Sequence, residues 1–226
     1  KQNIRLGSFI KFNINSYYFS LILIEMKKKI TFNNLLFLGI FIELLIFIFS
    51  YLFKENFGDV FRYSARYSGR LSLFIYLYCF YVFYVSFIEN KNFNKLKEFV
   101  LIFGILHLIH FGYLAMSVYL NELPIIPVKV SGGAIAYMMI IIYPFIINKI
   151  KKTTYHLIYF YYVGIVFLVT YLARIRGDFE GASPEIFHKI AFLLLILVFF
   201  KFGFDFYKNR KKFNLLWKIS IAIFFF

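Results

Sequence analysis

The residues best equipped for chemistry in this chain are histidines set among apolar neighbours. There are four, and each falls in or beside a long apolar run. His107 and His110 occur in Leu-His-Leu-Ile-His. On a helix that i, i+3 spacing puts both on one face, within about 60° of each other and about 4.5 Å apart along the axis. His156 lies near the start of a later run, and His188 near the start of the last. Neutral imidazole is a standard axial ligand for heme iron. A heme b held by two histidines needs one from each of two facing helices at a similar level. Counted at about 1.5 Å per residue from the ends of the runs, His107 stands roughly 13 Å from the lysine-rich edge, His110 roughly 18 Å and His156 roughly 5 Å. His107 with His156 is therefore the better-matched axial pair for an iron, and His188 enters from the opposite edge. The competing reading is structural, because imidazoles also hydrogen-bond between helices.

Other polar residues share this apolar setting. Glu43 sits near the centre of the first run. It reads as a proton carrier, as a partner for a histidine, or as a protonated carboxyl bonded to a tyrosine. Arg62, Arg66 and Arg70 recur every four residues, so a helix through them places all three on one stripe. Guanidiniums suit carboxylates such as heme propionates, an acidic partner or a lipid headgroup; the plainer reading is an interfacial basic cluster. Lys201 and Asp205 are spaced for an i, i+4 ion pair with a structural role. Gly132-Gly133 permits close helix approach. The tyrosines from Tyr155 to Tyr171 read as packing and interface belts. The single cysteine, Cys79, excludes a disulfide within the chain and a cysteine-based metal or iron–sulfur site.

Composition says what must hold these residues. The chain has 226 residues, 62% hydrophobic and 16% charged, against about 45–50% and about 25% in soluble domains. A water-soluble globule of this size has too little interior for that excess, and a disordered polar chain is excluded. An integral membrane protein remains. About six runs reach the roughly 20 residues that a spanning helix needs: 33–53, 71–88, 98–120, 132–147, 153–172 and 186–207. Pro144 is expected to kink the end of the fourth. Continuous rather than alternating apolar character excludes barrel strands. The expected fold is an all-α polytopic helical bundle.

The net charge of +15 then acquires a location. Lys27 to Lys29, the loop lysines 91, 95 and 97, the loop lysines 149, 151 and 152, and the basic tail from Lys208 to Lys212 all fall on one side of six spans. On the other side Glu122 balances Lys129, and Arg174 and Arg176 face Asp178, Glu180 and Glu185. Positive-inside counting puts both ends in the cytoplasm, of a multi-pass protein in a bacterial inner (plasma) membrane. The three arginines of the first outer loop, Arg62, Arg66 and Arg70, run against that count. No basic domain stands clear of the apolar runs, which argues against nucleic acid as a partner and leaves membrane lipid. Met26-Lys-Lys-Lys resembles a bacterial start. Residues 1–25 are thus expected to be upstream extension, or else an interfacial amphipathic segment. Residues 26–212 form the transmembrane domain, and 213–226 a short apolar tail with Trp217. No connection is long enough for a nucleotide-binding domain, so a flavin domain has to come from another chain.

Taken in order, the motifs resemble those of the ferric-reductase-like transmembrane domain family, in its short bacterial branch without a fused flavin domain. Phe61-Arg62-Tyr63-Ser64-Ala65-Arg66-Tyr67-Ser68 resembles that branch's Arg-x-Thr-Ala-Arg-x-Ser segment. Gly104 to His110 resembles its Ser-His-x-x-His helix, Gly132 to Tyr137 its Gly-Gly-x-x-Tyr start of a span, and Tyr155 to Tyr162 its Leu-His with a tyrosine-rich sequel. The resemblance covers about residues 60–176 and extends distantly to the heme-binding membrane subunit of the methionine-sulfoxide reductase system. It implies a heme-b core, with His107 or His110 and His156 as ligands and Arg62 and Arg66 toward the propionates. The implied role is the membrane component of an oxidoreductase, passing electrons from quinol or a separate flavin partner across the membrane. Many relatives carry a second histidine about thirteen residues after the first on the fifth helix. Val169 stands there, with Thr170 beside it. Leu106 replaces the serine before the first histidine, and Thr154-Tyr155 stand where tryptophan precedes Leu-His. These departures leave one heme at most. Two other classes compete: a heme-free membrane assembly or scaffold protein, and a proton-coupled small-solute transporter working through Glu43.

Overall fold

The computed structural model describes residues 31–88, 93–178 and 183–208. Among them run six helices long and apolar enough to cross a membrane: α1 (Phe32–Phe53), α2 (Phe57–Ile88), α3 (Asn94–Leu120), α4 (Pro127–Ile146), α5 (Thr153–Arg176) and α6 (Ile186–Lys208). A 3₁₀ turn, Ile147–Lys149, follows α4. The protein is an all-α polytopic bundle of membrane-spanning helices. It divides into Lys1–Phe41 and Ile42–Phe226. Within the first unit the described residues are Thr31 and the opening turns of α1; all that follows concerns the second. The expected segments 1–25 and 213–226, with Trp217, lie outside the described residues.

Five helices begin and end within a few residues of the expected spans. The second differs. It starts at Phe57 rather than near Leu71, so Arg62, Arg66 and Arg70 are helical residues and not loop residues. The cause is a local start signal. Asn56 Oδ1 accepts the Asp59 backbone N–H at 2.8 Å, and Asn56 Nδ2 donates to Asp59 Oδ2 at 2.9 Å. That is an asparagine N-cap, steadied by a side-chain bond to Asp59. Arg62 then pairs with Asp59 one turn on, at 3.0 Å. A helix of 32 residues is about 48 Å long, well over the roughly 30 Å apolar thickness of a bilayer, so its first turns have room for charge.

Other ends follow equally local rules. Pro127 opens α4, where a missing N–H costs nothing. Pro144 leaves the Ile140 carbonyl without its usual helical donor. That oxygen would lie 3.5 Å from a Cβ on Gly104, so α3 and α4 approach where both features coincide. At the end of α5, Gly177 takes φ 77°. Its N–H donates to the Arg174 carbonyl and that of Asp178 to the Ala173 carbonyl, at 3.3 and 2.9 Å, a Schellman turn.

The interior is aromatic. Tyr76, Phe80 and Phe83 of α2 are fully buried against Phe160 of α5 and Phe199, Phe202 and Phe206 of α6. Phe80 stacks on Phe160 with centroids 5.2 Å apart and meets Phe202 edge-on at 4.9 Å, the geometries that ring quadrupoles favour. Large apolar side chains such as Met138, Phe145, Ile190 and Phe204 point outward and are exposed, as lipid contact requires. One tight point ties α2 to α5. The Tyr76 hydroxyl donates to the Phe160 carbonyl at 2.7 Å, and a Cβ on Gly164 would lie 2.2 Å from that hydroxyl and 2.3 Å from Phe199 Cζ.

Gly164→Ala is accordingly expected to destabilise the bundle by about 1–3 kcal/mol through overpacking. Gly132→Ala, whose Cβ meets nothing within 4 Å, is expected to be neutral or slightly stabilising. Unfolding of the two variants in the same detergent separates them.

Candidate functional site

The four histidines fall into two kinds. His156, at the lysine end of α5, uses both ring nitrogens. Nε2 lies 3.3 Å from the Ile150 carbonyl and Nδ1 2.6 Å from the Tyr143 hydroxyl. A carbonyl can only accept, so Nε2 carries the hydrogen and Nδ1 accepts from Tyr143. Tyr143 in turn stacks on Tyr159, with centroids 3.6 Å apart. His188 sits three residues after Glu185, at the start of α6. Its Nδ1 accepts the Glu185 backbone N–H at 3.1 Å, the reach-back that a glutamate supplies in a capping box. Both histidines therefore have local structural work.

His107 and His110 differ. They are 7% and 9% exposed, and neither Nδ1 has a hydrogen-bond partner among the described residues. Their rings lie 5.2 Å apart. His107 stacks on Tyr137 of α4 and packs against Phe103 and Phe167. His110 lies over Gly69 of α2, where a Cβ would come within 3.1 Å of its Cε1.

The expected axial pair is not brought together. His156 contacts Phe83, Phe93 and Tyr143, whereas His107 contacts Tyr137 and Phe167. Phe167 is eleven residues along α5 from His156, about 16 Å of rise, and Tyr137 is six residues along α4 from Tyr143, about 9 Å. Two imidazoles sharing an iron must stand at one level with a nitrogen free on each. His107 and His156 meet neither condition in this arrangement, so the pair does not fit a bis-histidine heme. Val169, thirteen residues after His156, is 56% exposed; Phe167 is the α5 residue packed on His107.

Among the described residues, a dense polar cluster lies at the opposite end from the lysines. Arg66 and Arg70 of α2 both hydrogen-bond Glu185, one to each carboxylate oxygen. The side chains of Arg66 and Glu185 are 9% and 29% exposed. Ring faces fix both guanidiniums: Arg66 stands 4.9 Å over Tyr63, and Arg70 lies 4.8 Å from Tyr67 and 4.6 Å from Phe187. Arg174 of α5 lies within electrostatic reach of Arg66, Arg70, Glu185, His188 and His110. Two guanidiniums of α2 thus share one carboxylate at the start of α6. Arg62, expected beside Arg66, is instead paired with Asp59. From sequence alone Arg174 and Glu185 count only as opposing loop charges; the signals that place them are the Gly177 helix stop and the Pro184-Glu185 helix start. At the lysine end Lys201 Nζ pairs with Asp205 at 2.7 Å, and Tyr84 donates to the same oxygen at 2.8 Å.

Deeper in the bundle, Glu43 of α1 is 1% exposed. Its Oε1 accepts from the Ser68 hydroxyl at 2.7 Å, and its backbone carbonyl accepts from Tyr113 at 3.2 Å. Comparison with protein-family models, curated proteins and solved structures finds no match to this chain.

Two substitutions probe these centres. Tyr143→Phe strips His156 Nδ1 of its donor and is expected to cost about 1–2 kcal/mol. Glu185→Gln removes the charge that both arginines share and is expected to cost about 1–3 kcal/mol, between an exposed and a buried pair. Its effect should shrink in high salt, whereas that of Tyr143→Phe should not.

Proposed function

We propose that this chain is a multi-pass membrane subunit on a ferric-reductase-like plan that works by holding an anion at its arginine end, without a heme between His107 and His156. The observation that carries this is the clamp of Arg66 and Arg70 on Glu185 with Arg174 alongside. Two guanidiniums share that one carboxylate, in a half-buried place rigidified by aromatic faces. Such a centre attracts carboxylates and phosphates, and Glu185 marks the shape it accepts. This is the heme-free assembly or scaffold class, with the lysine end toward the cytoplasm of a bacterial inner membrane by charge counting and membrane lipid around it.

A second reading is heme-b electron transfer, fed by quinol or by a separate flavin protein, as the membrane component of an oxidoreductase. It is favoured by the Nδ1 atoms of His107 and His110, both buried and without partners among the described residues. Either imidazole could then be turned to hold a heme. Heme would supply one-electron chemistry; the chain would supply an imidazole in aromatic surroundings.

One preparation decides between the two. The protein is purified in detergent after expression with ample heme, and a reduced-minus-oxidised spectrum is recorded. A colourless protein whose melting temperature rises with inorganic phosphate or succinate, and no longer does so in Arg66→Gln/Arg70→Gln, is the expected result. Soret and alpha bands that vanish in His107→Ala or His110→Ala would establish the heme reading instead.

A further inference from the structure

A second buried centre lies away from the arginines. Ser64, Ser68 and Ser72 recur every four residues on α2 and are all 0% exposed. Ser68 is bonded to Glu43. The hydroxyls of Ser64 and Ser72, and Oε2 of Glu43, are buried with no hydrogen-bond partner among the described residues. Left dry, each such group carries a cost of about 1–3 kcal/mol, and α2 places two of them on one line with Ser68 between. Successive hydroxyls four residues apart are separated by about 6 Å of rise. That is too far for a direct hydrogen bond and close to the span of two bonds through one water, about 5.5 Å. A water between Ser64 and Ser68, and another between Ser68 and Ser72, would satisfy all three hydroxyls, in the way buried waters commonly serve polar cavities.

We propose that Glu43 is an exchangeable proton site in mid-membrane, reached along this line of serine hydroxyls and bridging waters. The ligand is a proton rather than a metal cation. Ser64 and Ser72 are about 12 Å apart along the axis, so they cannot share one ion with Ser68, and the remaining contact is Tyr113, bonded to the Glu43 backbone. The step moves one proton and no electrons. Oε2–H of Glu43 passes its proton to a water on the line while a proton from that line returns to the carboxylate. Ser68 donates to Oε1 throughout. The site stands independently of the arginine-end proposal, since it shares no residue with it.

The test is infrared spectroscopy of the full chain in liposomes, transferred from water to deuterated buffer. The carboxylic carbonyl band of Glu43, identified by its loss in Glu43→Gln, is expected to shift on deuteration within the mixing time of the exchange experiment. In Ser64→Ala/Ser72→Ala the shift is expected to slow at least tenfold. In Ser64→Thr/Ser72→Thr, which keeps the hydroxyls, it should stay close to wild type. A band that never shifts, or that is missing from the wild type, overturns the proton site. Equal exchange rates in wild type and in a helical, folded double-alanine variant overturn the serine route. If the double-alanine variant does not fold, a threonine variant that exchanges tenfold slower than wild type overturns the route as well.

Discussion

An apolar slab offers no water to a polar group, and the rest of this structure depends on that constraint. A polar side chain at depth must find a protein partner, a ligand or an isolated water, and each alternative leaves a mark in the geometry. Tyr76 finds the Phe160 carbonyl, which is why Gly164 has to be bare. His156 finds Tyr143 and Ile150. His188 finds the start of its own helix. Once these are paired, the polar atoms still without a partner among the described residues include the two Nδ1 atoms on α3, the Glu43 Oε2 and the Ser64 and Ser72 hydroxyls of α2. Partner bookkeeping therefore selects functional candidates more sharply than residue type does.

The fold was legible in the sequence because spanning helices announce themselves by length and apolarity, a signal that neighbours cannot override. The start of α2 was not, because its first turns are polar and the span criterion discards them. Asn56-x-x-Asp59 carried the missing information as a cap rather than as hydropathy. The site was legible only in part. Spacing showed that His107 and His110 share a face, and the structure keeps them adjacent. Spacing could not show that His156 is occupied, because Tyr143 reaches it from another helix. Arg174 and Glu185 were hidden for a similar reason: counted as loop charges of opposite sign they cancel, and only the ends of α5 and α6 bring them to the level of Arg66 and Arg70.

The arginine and serine stripes also explain why so long a helix is needed. Arg62, Arg66 and Arg70 are each two residues ahead of Ser64, Ser68 and Ser72, an offset of about 200° around the axis. The two stripes therefore occupy opposite sides of α2. One meets Glu185 at the start of α6, and the other meets Glu43 on α1. A single helix thus supports a charged face and a hydroxyl face at overlapping levels while keeping them apart by its own backbone. The charged face tolerates its position because the capped extension from Phe57 carries it toward the bundle end. The hydroxyl face begins at the same turns and continues inward, because serine is small enough to be buried against neighbouring helices without opening them. Had α2 begun at Leu71, as hydropathy alone suggests, Ser72 would remain on the helix but Ser64, Ser68 and all three arginines would not. Both polar centres would then be lost together, so the cap at Asn56 is a precondition for each of them.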